Sequence, residues 1–310
     1  MRVLAIILAA LAAVTMHSAP AACETQADTR DATTPAGGAV AGVQERAARE
    51  YLETGDRFFG KGEYETALAS YDKAVALHPG FVIALNNKGV ALYNLGRHEE
   101  AVAAFDRLLA VKPDDALAYI NKGNACSQLG LFEEAAACFE RAAGLDPKSA
   151  ASAYNFLGLA LDYQGRHDDA VEAYDKAVKL NARMPEPLNN KAYSLICMKK
   201  YDKALECLDA SLALAPGYRY ALINKAFTLQ LRAKDGDRAG AEVILMDLLN
   251  KDRTDVIAAR AYALLGMRDE MLTLLNSLLA DNPGLARDFR GNAKFERYWD
   301  DPEFLALVGE

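Results

Sequence analysis

Apolar residues recur at steps of three and four along most of this chain, as in LNNKGVALYNLG from Leu85 and EEAVAAFDRLLAVKP from Glu99. That spacing lays one apolar stripe along a helix. No alternation of period two persists, so strands are not predicted. Between successive helices a glycine supplies the left-handed ending, at Gly62, Gly96, Gly130 and Gly165. Acidic pairs follow at Glu99-Glu100, Glu133-Glu134 and Asp168-Asp169, favouring the positive start of the second helix. Pro79, Pro113 and Pro147 then stop it. The pattern predicts consecutive helix pairs.

The pairs repeat. Pro79, Pro113 and Pro147 stand 34 residues apart, as do Gly55, Gly89 and Gly123; Gly158 follows one residue late, and Ala192 and Ala226 resume the 34 spacing. Twelve residues after the first five of these small residues stands an alanine: Ala67, Ala101, Ala135, Ala170, Ala204. Four further on comes a bulky residue: Tyr71, Phe105, Phe139, Tyr174, Leu208. Small residues in both helices let the backbones approach, and the bulky one fills the space beyond.

This register resembles the tetratricopeptide repeat, a 34-residue helix-turn-helix with W-x2-L-G-x2-Y, A-x3-F and P. The resemblance covers about residues 48 to 283, or seven units. It implies an all-α solenoid, a right-handed superhelix of helix-turn-helix repeats. The family's Trp is here Tyr51, Leu85, Tyr119, Tyr154, Leu188 and Leu222, and Lys often replaces the following Leu. The sixth unit carries extra residues at Lys234-Asp235-Gly236-Asp237, and the seventh has a shortened first helix. Stacked units need a closing cap. Residues 284–310, with Phe289, Phe295, Tyr298, Trp299, Phe304 and Leu307, are expected to supply it; an exposed aromatic docking patch is the alternative.

The amino terminus differs from this frame. After Met1-Arg2 an apolar run reaches Met16, then small and polar residues lead to Cys23. The run is 14 residues, short of the about 20 needed to span a bilayer. It reads as a signal peptide over residues 1–22 and hence as an exported, extracellular or cell-envelope protein. Ala21-Ala22-Cys23 resembles a lipobox, with Pro20 where that family has Leu, which makes Cys23 a lipidation candidate and a membrane tether. Ala19-Pro20-Ala21 equally suits plain cleavage. Residues 23–44 are expected to be a disordered tether, since from Glu24 to Gln44 they hold no Leu, Ile, Met, Phe, Tyr or Trp. The repeats are then expected to run from 45 to 283.

Charge and composition narrow the function. The 310 residues carry a net charge of -8, nearly all of it beyond Gln44, which argues against a nucleic-acid partner. His78, His98 and His167 sit near helix ends without metal-ligand spacing, and Asp235-Gly236-Asp237 lacks that of a calcium loop. With no phosphate loop or nucleophile motif either, neither catalysis nor a metal or other cofactor is predicted. Cys126, Cys138, Cys197 and Cys207 read as free thiols.

What remains is a binding face. In the tetratricopeptide repeat family the first helices line the concave wall. One position there carries Asn87, Asn121, Asn190 and Asn224, each followed by Lys, with Asn86, Asn124, Asn155 and Asn189 nearby. An amide both donates and accepts, so a row of them can hold an extended peptide by its backbone. The alternative is that these amides bond only between adjacent helices. Tyr93, Tyr163, Tyr193 and Phe227 are expected on the same wall, with Ile120, Ile196 and Ile223. The family's basic clamp for acidic tails is not matched, because Leu117, Ser152 and Asn121 stand at inward places. The chain therefore reads as a non-enzymatic scaffold binding a protein or peptide; the alternative is a structural role in envelope assembly through the outer face or the cap.

Overall fold

The computed structural model describes residues 38–290 and 292–309. The expected signal segment, Cys23 and the tether up to residue 37 lie outside the described residues. Fourteen helices form seven consecutive pairs: α1 (Gly38–Phe59) with α2 (Tyr64–Leu77), α3 (Val82–Asn94) with α4 (His98–Val111), α5 (Ala116–Gln128) with α6 (Phe132–Leu145), α7 (Ala150–Tyr163) with α8 (His167–Leu180), α9 (Pro185–Cys197) with α10 (Tyr201–Leu214), α11 (Arg219–Arg232) with α12 (Asp237–Lys251), and α13 (Val256–Leu265) with α14 (Arg268–Asp281). No strand occurs among the described residues. None of the described helices is long and apolar enough to cross a membrane. The described residues fall into two compact units, up to residue 153 and from 154 onward, divided within α7.

One expectation needs correction. The tether was to reach Gln44, but α1 begins at Gly38. Residues 42–46 of this extension are exposed, so they are not held by packing. A helix nucleated where Ala48 is buried propagates outward at low cost through Ala, Val and Gln.

The small-to-bulky register works as steric complementarity. A Cβ on Gly89 would stand 2.5 Å from the Phe105 ring, and one on Gly123 2.7 Å from Phe139. Tyr71 and Tyr174 crowd Gly55 and Gly158 in the same way. Phe105 and Phe139 are fully buried, each contributing roughly 1.5–3 kcal/mol by leaving water. The fifth and sixth pairs use Ala192 and Ala226 with Leu208 and Leu245 instead, all in one core.

Turns follow the glycines only part of the way. Gly96 takes φ 74°, and Arg97 N bonds Leu92 O at 2.9 Å, which closes the helix end. Lys199 (φ 58°) and Ala233 (φ 53°) adopt the same left-handed conformation where the earlier units have glycine. The extra residues of the sixth unit are tied down by Asp237: Arg232 donates to it at 2.6 and 2.8 Å, and Lys234 N at 2.9 Å. The Arg232 guanidinium holds the Asp237 carboxyl down at about 2.

Beyond α14 a short 3₁₀ turn leads to α15 (Ala286–Phe289), a 3₁₀ segment (Ala293–Tyr298) and α16 (Pro302–Val308). Phe289, Phe295 and Phe304 are buried and meet at ring separations of 5.5 and 5.7 Å. Arg268 anchors α16 to α14 through Asp301 at 2.6 and 3.0 Å. The aromatics are thus packed into the core of the C-terminal unit rather than gathered on its surface.

Candidate functional site

The asparagines of the first helices form relays. In the N-terminal unit Asn121 Nδ2 donates to Asn86 Oδ1 (3.0 Å), Asn86 to Asn87 Oδ1 (3.3 Å), and Asn87 to Asp56 Oδ1 (2.9 Å). In the C-terminal unit Asn224 donates to Asn189 (2.8 Å), Asn189 to Asn190 (3.2 Å), and Asn190 to Asn155 (3.0 Å). Asn87, Asn121, Asn155, Asn190 and Asn224 are all buried. Their amides link neighbouring repeats, where a buried amide without a partner would cost about 1–3 kcal/mol. This revises the expected peptide ladder: the donors that were to face a ligand already face another helix.

Tyrosines in place of phenylalanine carry their own acids. Tyr71 donates to Asp56 at 2.8 Å and Tyr174 to Asp162 at 2.9 Å. Asp162 also accepts from Ser194 at 2.8 Å and meets His167 Nδ1 at 2.9 Å. Burial pushes the Asp162 carboxyl up, while these partners hold it down. Ser, His and Asp come together here, yet Ser194 donates to the carboxylate and not to the imidazole, so the geometry does not link nucleophile to base. Asp162 and Ser194 were not anticipated from the sequence. The exchange of Phe for Tyr at Tyr71 and Tyr174 is the signal that points to a buried acceptor.

The remaining expected residues separate by unit. In the N-terminal unit Tyr93 is half-buried, accepts from Gln128 Nε2 at 3.3 Å and meets His98 edge-on at 5.2 Å. Burial raises the Tyr93 hydroxyl pKa and lowers that of His98. Asn124 is half-buried, and its Oδ1 has no hydrogen-bond partner among the described residues. Ile83 and Leu117 are 38% and 37% exposed. Leu117 and Asn124, two turns apart, lie on one stripe of α5, and Ile83 holds the place of Leu117 on α3.

In the C-terminal unit Tyr163 is half-buried, whereas Tyr193 and Phe227, expected to face a ligand, are buried. Tyr193 bonds the Cys197 thiol, which burial pushes up to about 12. Over Phe227 lies Lys294 of the 3₁₀ segment, its Nζ 4.9 Å from the ring centroid. The C-terminal segment covers the wall at the place where the sequence expected a binding site. Cys126, Cys138, Cys197 and Cys207 are free thiols. No group of side chains suited to a metal occurs among the described residues.

Comparison with known proteins supports this architecture. A sequence profile of the tetratricopeptide repeat matches residues 52–116, 94–150 and 120–185. A curated relative, "Protein STIP1 homolog" of Dictyostelium discoideum, is 31% identical over 146 residues. The match takes in 46% of this chain, which spans only a quarter (25%) of that relative's length. A solved tetratricopeptide repeat protein from Parabacteroides merdae is similar over 86% of this chain and 100% of its own, at TM-score 0.64 and 16% identity. The pilF protein of Pseudomonas aeruginosa is similar over 70% of this chain and 96% of its own, at TM-score 0.57 and 19% identity. MamA of Desulfovibrio magneticus, from residue 41 to its end, gives TM-score 0.52 at 25% identity, covering 56% of this chain and 97% of that one. Repeat register, paired helices and these likenesses agree: residues 52–185 match the tetratricopeptide repeat, and the described residues fold as an all-α solenoid of such helix pairs.

Proposed function

We propose that this chain is a non-enzymatic scaffold that takes a peptide segment of a partner protein across the first-helix face of residues 38–153. The observation that carries the reading is the pair Ile83 and Leu117 on α3 and α5. These two aliphatic side chains are 38% and 37% exposed and stand 34 residues apart, at the same place in successive repeats. Apolar anchors at a fixed spacing supply affinity. The buried asparagine relays hold this face rigid and do not themselves contact the peptide.

A second reading rests on α12. Val243 and Met246 are 70% and 47% exposed and lie one turn apart. They offer an outer apolar contact suited to a structural role in envelope assembly. Selecting binders to the full chain from a random-peptide library, then measuring them against Ile83→Asp/Leu117→Asp and Val243→Asp/Met246→Asp, separates the two. Loss of about tenfold or more in the first pair alone supports the peptide face; loss confined to the second pair overturns it. The N-terminal pattern through Cys23 supports a mature chain outside the cytoplasmic membrane. Mass spectrometry of the native protein tests this: an intact Met1 defeats it, and a lipid-bearing Cys23 establishes tethering.

A further inference from the structure

Two buried cations in the C-terminal unit form no ion pair among the described residues. Arg260, on α13, is 3% exposed, and its Nε and Nη2 have no hydrogen-bond partner among the described residues. Lys294, from the covering 3₁₀ segment, is 6% exposed, and its ammonium rests on the Phe227 ring. Nearby acids do not satisfy them. Asp255 is engaged by Arg219 at 2.8 and 3.1 Å and by Ala258 N at 2.8 Å, and Asp288 acts on Arg260 without bonding Nε or Nη2. A buried charge without a counter-charge costs several kcal/mol, and here two are held in one patch. Nε and Nη2 form one edge of the guanidinium, with parallel hydrogens spaced to meet two oxygens of a single oxyanion.

We propose that Arg260 and Lys294 form a binding site for a small oxyanion, received on the Nε–Nη2 edge and closed over by the Lys294 ammonium, so that occupancy holds the C-terminal segment on the last repeats. Among the described residues, the groups around Lys294 offer no competing negative charge near neutral pH. Phe227 faces it from α11 and Arg260 from α13, while Cys197 on α9 keeps its proton because burial pushes the thiol up to about 12. Burial and Arg260 bring Lys294 down to about 7. An anion between the two cations reverses that effect, so binding just above neutral pH takes up a proton. The site is independent of the peptide face in residues 38–153.

Calorimetry and thermal denaturation of the full chain test it, with sodium phosphate and sodium acetate titrated against sodium chloride at matched ionic strength. The expected result is saturable binding of phosphate or acetate with a raised Tm. Arg260→Met and Lys294→Met each weaken binding by about tenfold or more. Both variants should exceed the wild type in Tm without anion, since each removes an unpaired buried charge. If one of them fails to fold, the other carries the test. Proton uptake, read by comparing buffers of different ionisation enthalpy, should vanish with Lys294→Met. Binding only of a hexaglutamate peptide, dependent on Arg260, supports the site and assigns its oxyanion to a partner's acidic side chain. No Arg260-dependent response to phosphate, acetate or hexaglutamate overturns it.

Discussion

The first-helix wall of residues 38–153 and that of residues 154–309 are built on one repeat but have different surfaces. In the N-terminal unit Ile83, Leu117, Asn124 and Tyr93 reach solvent to some degree. In the C-terminal unit Tyr193, Phe227 and Arg260 stand in matching register along α9, α11 and α13, and all are buried. The covering segment is what differs, because Lys294 sits on Phe227. A repeat position therefore sets which way a side chain points, and a segment from outside the repeats decides whether anything can reach it.

The largest expected effect tests the covered wall. Lys294 titrates near 7 in the folded chain against an ordinary 10.5. Between these values the unfolded chain binds a proton that the folded one does not. Stability should therefore rise as pH climbs from about 7 towards 10.5, by at most about 1.4 kcal/mol per unit. Denaturant titrations across that range should show the rise in the wild type and a flatter profile in Lys294→Met. An identical profile in both would mean that the ammonium is not sequestered.

Next come the relays. Asn190→Ala leaves Asn155 without its donor and Asn189 without its acceptor, and should cost about 1–3 kcal/mol. Asn121→Ala should cost less, because its own Oδ1 already lacks a partner. Neither change should weaken a peptide held by Ile83 and Leu117. Unchanged stability with lost peptide binding would restore the ladder as a ligand contact.

The core distinguishes glycine–aromatic from alanine–leucine packing. Gly89→Ala forces a methyl group into the Phe105 ring and should cost about 1–3 kcal/mol. Ala192→Gly should cost about 1 kcal/mol, through lost helix propensity. Equal tolerance at both positions, measured by chemical denaturation, would mean that the ring moves aside.

The smallest effect lies in the turns. Lys199→Gly and Ala233→Gly relieve left-handed strain and should raise stability by up to about 1 kcal/mol each, whereas Gly96→Ala should lower it by a similar amount. A fall in Tm for both glycine variants would show that the flexibility added to the unfolded chain outweighs the relief.

Much of the framework could be read along the chain. Helix pairs, their 34-residue period, the glycine turns and the small-to-bulky contacts depend on residues close in sequence or fixed in register. One regular feature was legible but unread: Lys88, Lys122, Lys191 and Lys225 each pair with the aspartate 16 residues earlier, at 2.5–2.6 Å. Arg260, the lone charge in VIAARAYALL, was equally legible and equally unread. The start of α1 at Gly38 was not legible, because a composition free of large apolar residues describes packing and not whether a helix extends past its packed turns.

Local sequence determined the helices because backbone bonding, turn glycines and one apolar stripe per helix are decided within a few residues. Which polar groups meet was left to tertiary structure. An asparagine on that stripe serves a ligand or a neighbouring helix according to what stands about 5 Å away, and only the stacked repeats bring Asn155 to Asn190 or Asn189 to Asn224. The cover over Phe227 is likewise a tertiary fact: nothing local to α11 encodes that Lys294 will fold back from beyond the last repeat, because the driving force is burial of Phe289, Phe295 and Phe304 in a core that exists only once α13 and α14 have formed.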